Sequence, residues 1–154
     1  MQNPFMKAAI EEGKKAAACG EVPVGAVIVR NGRIIARAHN LRETKKNPLY
    51  HAETAAIFAA SQKLQDWRLS DCDIYVTLEP CPMCCGAILQ ARLRRLYFGA
   101  YNRQGGCVVS CGQYLDSPNS LHRTEYYCGI MEDACSALLT DFFADARNAA
   151  PEQI

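Results

Sequence analysis

The sequence predicts an α/β fold in which helices flank a mixed β-sheet, and three observations support this class. Apolar residues make up 49% of the 154 residues, enough for the core of one domain spanning residues 1–154. Runs rich in β-branched residues alternate with alanine-rich stretches at helical spacing. Asn31-Gly32 is a two-residue hairpin turn that makes the first two strands antiparallel, whereas helices separate later strands, as in a βαβ unit.

The elements of the first half follow in order from these patterns. Apolar residues such as Met6 and Ile10 recur at helical spacing and predict the first helix, which ends at Gly20. The next two β-rich runs form the hairpin, and the strand that begins it contains the small residues Gly25 and Ala26. These two residues allow either a ligand to lie over the strand or a helix to pack closely on it. The predicted elements are helix 3–18, strand 22–29, strand 33–39, polar loop 40–48 and helix 51–64.

In the second half, proline and glycine residues mark where the helices and strands begin and end. Glu79-Pro80 stops a β-rich strand, and Pro82 falls in the first turn of the next helix, where proline is tolerated. Leu138 and Phe142 belong to the apolar stripe of the last helix. The predicted elements are strand 72–78, helix 82–90, strand 96–100, loop 101–121, strand 123–128, helix 130–147 and a polar, frayed tail from Asn148.

Charge and cysteine content limit the classes of function. With 17 basic and 16 acidic residues, net charge gives no indication of a nucleic-acid partner, so any such indication must come from local clusters. Such clusters either contact phosphate or are ordinary solvated charge. Two occur, one at Arg42, Lys45 and Lys46 and one at Arg92, Arg94 and Arg95.

The nine cysteines predict reduced thiols in a cytoplasmic protein. The residues after Met1 show no charged-then-apolar leader, and no apolar run approaches the length of a membrane span. Most of the cysteines are expected to be small buried groups. Cys85 directly follows Cys84 and could compete for a metal, but we expect it to face another side of its helix.

The chemistry of the chain centres on two short motifs. His51-Ala52-Glu53 reads H-x-E, and Pro80 to Cys84 reads P-C-x-x-C. Alone, the histidine is most simply a packed residue and the cysteine pair is equally typical of redox proteins. Together, in this order, they match the signature of zinc-dependent nucleobase deaminases. His51, Cys81 and Cys84 then supply three ligands to a Zn²⁺ with an open fourth position, and Glu53 moves protons beside it.

Both motifs are predicted to lie at helix N-termini. The positive end of a helix favours a carboxylate at Glu53 and thiolates at Cys81 and Cys84, and it helps to keep the His51 ring neutral. Two helices therefore direct their N-termini, each with metal ligands, toward one point. In a βαβ arrangement this point lies beyond the carboxyl ends of the strands.

Further stretches extend the match well beyond the two motifs. From about Glu21 to Phe143, the chain resembles the bacterial tRNA-specific adenosine deaminase family. Cys85 differs, since a small residue such as alanine is usual there. The matching residues are Glu21-Val22-Pro23-Val24-Gly25-Ala26, Asn40, His51-Ala52-Glu53, Tyr75-Val76-Thr77-Leu78-Glu79-Pro80-Cys81, Met83-Cys84, Gly86-Ala87, Phe98-Gly99-Ala100 and Leu138-Leu139-x-Asp141-Phe142-Phe143.

The resemblance implies a three-layer cytidine-deaminase-like fold with a mixed five-stranded sheet, one Zn²⁺ per subunit, and a homodimer. It implies hydrolytic conversion of adenosine to inosine at the wobble position of a tRNA anticodon, with attack at C6 and Glu53 as the proton shuttle. Asn40 resembles the residue that hydrogen-bonds the target nucleoside. The substrate contacts expected from the family are Asn40, Val24, Ala26, Glu79, Pro80, Asn102 and Phe143.

Three departures from the family pattern keep other substrates open. Asn102 stands where the family usually has aspartate, which predicts weaker discrimination between ribose and deoxyribose backbones. The last helix is poor in Arg and Lys, and Leu49-Tyr50 replaces smaller residues, with Tyr50 either stacking on a base or packing. The alternative function is a deaminase of free guanine, cytosine or nucleoside. A non-catalytic subunit is disfavoured because Glu53 is present.

Overall fold

The computed structural model describes residues 2–149 of the chain. The elements are α1 (Pro4–Ala18), β1 (Gly25–Arg30), β2 (Arg33–His39), α2 (Arg42–Lys45), α3 (Ala52–Leu64), β3 (Cys72–Leu78), α4 (Pro82–Gln90), β4 (Arg95–Ala100), a 3₁₀ turn (Tyr114–Asp116), β5 (Glu125–Tyr127) and α5 (Glu132–Ala149).

The five strands form one mixed sheet in the order β2-β1-β3-β4-β5, which confirms the predicted sheet. β1 is antiparallel to β2 and to β3, whereas β3, β4 and β5 run parallel. The carboxyl ends of β3 and β4 therefore meet at one edge, where Leu78 pairs with Ala100. Loops that leave this edge can combine their side chains in one site.

Helices cover both faces of the sheet and complete three layers. On one face, α1 and α5 pack through residues such as Met6 and Cys135. On the other face, α3 and α4 pack through residues such as Ala56 and Ile88 onto Ile74. The apolar residues of the sheet thus lie between two helical layers, as the resemblance implied.

Close helix packing explains the small residue at position 25. A Cβ on Gly25 would lie 2.0 Å from the Ala9 carbonyl oxygen and 2.5 Å from the Gly13 nitrogen, both in α1. No side chain fits there. The structure therefore explains Gly25 by the close packing of a helix on the strand, and not by a ligand lying over it. Ala26 points toward the other face and is fully buried in its core.

The structure differs from the predictions at several element ends. β1 starts at Gly25 instead of residue 22, because the Val24 N–H turns back to donate to the Val22 carbonyl at 2.9 Å. β5 is shorter than predicted. α5 starts at Glu132 and includes Asn148, so the predicted tail begins too early, and the rest of that tail lies outside the described residues.

The predicted polar loop contains a short helix, α2, that the sequence analysis missed. The buried Glu21 carboxylate accepts hydrogen bonds from the Glu43 and Thr44 N–H groups at 3.2 and 2.7 Å. A residue about twenty positions earlier thus stabilises the first turn of α2, and local sequence carries no such signal.

Membrane and disulfide features are both missing from residues 2–149. No helix in that range is long and apolar enough to cross a bilayer. All nine cysteines fall within the range, and each is a free thiol there.

Candidate metal centre and active site

The two motifs lie at the starts of neighbouring helices. His51 is the N-cap residue of α3, one position before the predicted first turn, and Cys81 is the N-cap residue of α4. The Thr54 hydroxyl accepts the His51 N–H at 3.1 Å and fixes the entry to α3. Two positive helix ends therefore face the same point, as predicted.

Three ligand atoms converge at this point. His51 Nδ1 lies 3.7 Å from Cys81 Sγ and 3.5 Å from Cys84 Sγ, and the ligand atoms of the three residues lie within 4.8 Å of one another. A tetrahedral zinc ion with ordinary bond lengths holds nitrogen and sulfur ligands about 3.6 Å apart. The donor set and its spacing therefore fit Zn²⁺ with a fourth position left for another ligand.

Electrostatics within the triad favour a thiolate at Cys81. Contact with the Cys84 thiol, supported by His51, lowers the pKa of Cys81 to about 4. The Cys81 sulfur in turn raises the pKa of Cys84 and that of His51. Cys81 is thus the sulfur that most readily gives up its proton, as cation ligation requires.

Cys85, the neighbouring thiol, faces away from the triad as expected. It is fully buried among core residues, and its Sγ approaches the Pro80 carbonyl at 3.7 Å. Burial raises the pKa of Cys85 to about 12, so this residue stays a neutral thiol.

Glu53 lies beside the triad within the first turn of α3. Its side chain is only 4% exposed, and burial raises its pKa above the ordinary carboxyl value. Within residues 2–149, Glu53 is not among the residues whose ligand atoms converge. A carboxyl group so placed can accept and return a proton near the metal.

A cavity of about 170 Å³ opens onto the triad. Its size suits a small planar group better than a drug-sized ligand, since cavities for the latter are about 300–1,000 Å³. The lining residues are Val22, Val24, Asn40, Arg42, His51, Ala52, Glu53, Leu78, Glu79, Cys81 and Asn102.

Four of the expected substrate contacts line this cavity, and three do not. Val24, Asn40, Glu79 and Asn102 are in its wall. Ala26 is covered within the sheet, and Pro80 is buried. Phe143 is 45% exposed on α5, where it contacts Phe142.

Hydrogen bonds fix the two asparagine side chains of the cavity wall. Asn40 Oδ1 accepts the Arg42 N–H at 3.1 Å, and its Nδ2 donates to the Val22 carbonyl at 3.2 Å. Asn102 Oδ1 accepts N–H groups of Gln104 and Gly105 at 3.3 and 3.2 Å. The oxygen of Asn102 is thus engaged by its own loop, and its Nδ2 is the group left for a ligand.

The full role of the Glu79 side chain was not predicted from the sequence. The expectation concerned backbone near Glu79-Pro80, whereas the buried side chain accepts N–H groups from loop 101–111, including those of Val109 and Ser110 at 2.9 Å. Burial acts to raise the pKa of Glu79, but the Ser110 hydroxyl and the backbone donors outweigh it and keep the pKa below the ordinary value. The sequence feature that could have indicated this role is the glutamate directly before Pro80-Cys81.

The basic clusters occupy different places. Arg42 lines the cavity, and Lys45 and Lys46 are exposed on the same segment. The second cluster lies at the start of β4, the opposite end of the strand from the cavity. There Arg94 pairs with Asp73 at 3.0 Å and Arg95 with Glu125 at 3.3 Å. This cluster therefore lies away from the cavity, and two of its three arginines are already paired with carboxylates.

Leu49 and Tyr50 line a second cavity of about 530 Å³ with Phe58. Tyr50 is half-buried there and is not part of the wall of the first cavity.

The fold and the ligand triad together define a zinc-dependent deaminase. The model of the cytidine and deoxycytidylate deaminase zinc-binding region matches residues 1–100. The tRNA-specific adenosine deaminase of Bacillus subtilis is 47% identical over 143 residues, which cover 93% of this chain and 89% of that protein. The chain belongs to the tRNA-specific adenosine deaminase family.

Two solved structures of deaminases are similar to this chain. One, from biochemical and structural studies of A-to-I editing by tRNA:A34 deaminases at the wobble position of transfer RNA, has a TM-score of 0.85 and 42% identity, covering 88% of this chain and 98% of that one. Guanine deaminase from Bacillus subtilis has a TM-score of 0.63 and 30% identity, covering 99% of each chain.

Proposed function

We propose that this chain deaminates adenosine to inosine at the wobble position of a tRNA anticodon, using one Zn²⁺ per subunit. The observation that carries the proposal is the placement of Glu53 and the His51–Cys81–Cys84 triad around one cavity, in a chain of this family. The free thiols support a cytoplasmic location.

Glu53 is the proton shuttle of the proposed reaction. When bound, zinc supplies a positive charge that lowers the pKa of water toward about 7. Glu53 receives one proton of the water that attacks C6 and delivers it to the ring nitrogen. It then takes the proton of the new C6 hydroxyl and passes it to the amino group, which leaves as ammonia. Its burial beside the triad supports this role, because burial raises its pKa and so helps the carboxyl group to hold a proton between the two transfers.

Residues of the cavity wall hold the target nucleoside. Asn40 hydrogen-bonds the nucleoside, Val24 contacts the base, and the segment at Glu79 closes one side. Asn102 offers its Nδ2 group to the sugar. The base must leave its stack to enter, which costs a few kcal/mol in a duplex and less in a loop. An anticodon loop suits a cavity this small.

Ala26, Pro80 and Phe143 act less directly. Ala26 and Pro80 support the cavity wall from beneath, in keeping with their burial. Phe143 on α5 is exposed and available to RNA outside the cavity. Arg42, at the rim, neutralises phosphate.

The chain acts as a homodimer through the outer face of α3 and α4. Trp67 is 53% exposed, and it lines a shallow groove between the helices together with Ile57 and Ala87. A second copy of this face would cover these apolar groups. In sedimentation analysis we expect Ala87→Arg to yield monomers, while Ala137→Arg on exposed α5 does not; a dimeric Ala87→Arg protein would exclude this face.

Inosine formation tests the function. The zinc-loaded protein is incubated with an anticodon stem-loop carrying adenosine at the wobble position, and nucleosides are measured by mass spectrometry. Free guanine, cytosine and adenosine run in parallel. We expect inosine in the stem-loop alone. Conversion of a free base alone would instead establish the small-molecule function.

A further inference from the structure

We propose that Glu79 is a positioning residue: its buried carboxylate holds loop 101–111 at the end of β3 and so fixes Asn102 in the cavity wall. The proposal rests on the proposed function, because Asn102 matters only through the substrate it contacts. Glu79 itself acts through the loop.

The Glu79 carboxylate collects five hydrogen bonds from this loop. Oε1 accepts the Asn102 N–H at 3.1 Å and the Ser110 hydroxyl. Oε2 accepts the N–H groups of Val108, Val109 and Ser110 at 3.1, 2.9 and 2.9 Å. Three successive amides around one oxygen form a concave anion-binding arrangement of the backbone. The loop is thus shaped around the carboxylate.

The loop is also held by apolar side chains, since Val108 is fully buried and Cys107 nearly so in the core. It contains no helix or strand between β4 and the 3₁₀ turn. Its further backbone anchors include the Cys107 N–H, which donates to the Pro80 carbonyl at 2.8 Å, and the Gly106 N–H, which donates to the Asn102 carbonyl at 2.8 Å. Glu79 is only 1% exposed, and within residues 2–149 no cation pairs with it, so amide dipoles and the hydroxyl stabilise its charge.

Two adjacent glycines allow this contact to be tested from the loop side. A Cβ on Gly106 would lie 2.5 Å from Glu79 Cδ and 2.7 Å from the Asn102 carbonyl oxygen. A Cβ on Gly105 would meet only Asn102 Nδ2, at an ordinary 3.7 Å. Gly106→Ala therefore moves the loop off the carboxylate without changing any charge, and Gly105→Ala is its matched control.

The first measurement is steady-state kinetics on the stem-loop with zinc content determined for each protein. We expect Gly106→Ala to raise KM about tenfold, with kcat changed less than about threefold and zinc retained, since displacement of a binding group by about 1 Å has large effects. Gly105→Ala should stay within about twofold of the wild type. An unchanged KM in Gly106→Ala, or an equal loss in both variants, overturns the proposal.

The second measurement is a double-mutant cycle with Asn102→Ala. If Glu79 acts by positioning Asn102, Gly106→Ala adds little to the KM of Asn102→Ala, whereas independent effects would multiply. Full multiplication overturns the proposal. If Gly106→Ala folds poorly, Glu79→Gln replaces it, with Glu12→Gln, a buried carboxyl on α1, as the control.

Amide hydrogen exchange tests the role of Glu79 independently of the proposed function. The Val109 and Ser110 amides should be protected in the wild type and lose protection in Gly106→Ala and Glu79→Gln, whatever the substrate. If protection is lost in both variants but the wild type is inactive on the stem-loop, the proposed function is wrong, and the predicted effect on KM is wrong with it. Unchanged protection in both variants would remove the role of Glu79 itself.

Discussion

Replacing Glu53 should lower activity without loss of zinc. Glu53→Ala should lower kcat by about 10²–10⁴, the usual contribution of a positioned acid–base group. Zinc content should stay unchanged, because Glu53 is not among the converging ligand atoms. Elemental analysis and inosine formation measure the two effects, with exposed Glu11→Ala as the control. Loss of zinc in Glu53→Ala would make Glu53 a ligand.

Asn102 is the residue at which ribose recognition can be altered. An aspartate there can keep the contacts of Oδ1 to the loop and place a charged acceptor where Nδ2 now lies. That acceptor suits a 2′-hydroxyl, which only RNA carries. We therefore expect Asn102→Asp to raise the RNA-to-DNA ratio of kcat/KM about tenfold, given the strength of hydrogen bonds to charged groups.

The measurement compares an RNA stem-loop with a DNA loop of matched sequence. Gln104→Glu adds the same charge at an exposed position of the same loop and controls for charge alone. An unchanged ratio in Asn102→Asp, or an equal change in Gln104→Glu, would contradict this role for position 102.

At the scale of elements, the segment around α2 carries the cations nearest the cavity. Replacing Arg42, Lys45 and Lys46 with Gln should weaken stem-loop binding and reduce its salt dependence. The slope of log affinity against log salt falls by about 0.7 for each lost phosphate contact to a single strand. The control is Arg94→Gln, whose side chain pairs with Asp73 at the far end of β4. Equal slopes in the triple variant and the wild type would exclude this surface.

Elements with a strong local pattern were predictable, and those held by distant groups were not. The β1–β2 hairpin follows from Asn31-Gly32, and α3 follows from its alanines. α2 depends on Glu21, and the shape of loop 101–111 depends on Glu79. Both carboxylates act across long sequence separations, so no window of sequence contains the interaction.

At the scale of the whole molecule, the metal centre joins two helices and should stabilise the fold. A ligand present at one hundred times its Kd adds about 2.7 kcal/mol, and for a chain of this size each kcal/mol shifts Tm by about 2–4 °C. We expect a chelator to lower Tm by roughly 5–11 °C, with recovery on adding zinc.

Cysteine variants show whether this shift comes from the triad. Cys84→Ala should bind no zinc and show no response to chelator, whereas Cys85→Ala, which removes a buried thiol outside the triad, should keep both. Full zinc occupancy in Cys84→Ala would remove Cys84 from the ligand set.

The sequence was most informative about the centre of the site and least about its rim. His51, Glu53, Cys81 and Cys84 follow from their match to the deaminase signature, and the predicted helix N-termini show why these residues meet. The wall residues needed the resemblance, and the ion pairs of Arg94 and Arg95 could not be read at all. Partner choice among surface charges depends on strand register, which the sequence leaves undetermined.

The antiparallel hairpin at the edge of the mixed sheet also affects the order in which the chain folds. The two strands of the hairpin can pair once a loop of a few residues has closed. In contrast, β3 can pair with β1 only after α3, which lies between them in the chain, has been included in the loop. The hairpin can thus form on a nascent chain before Cys81 and Cys84 have been synthesised. The full set of ligands exists only once Cys84 has been synthesised, after the hairpin strands are already available to pair.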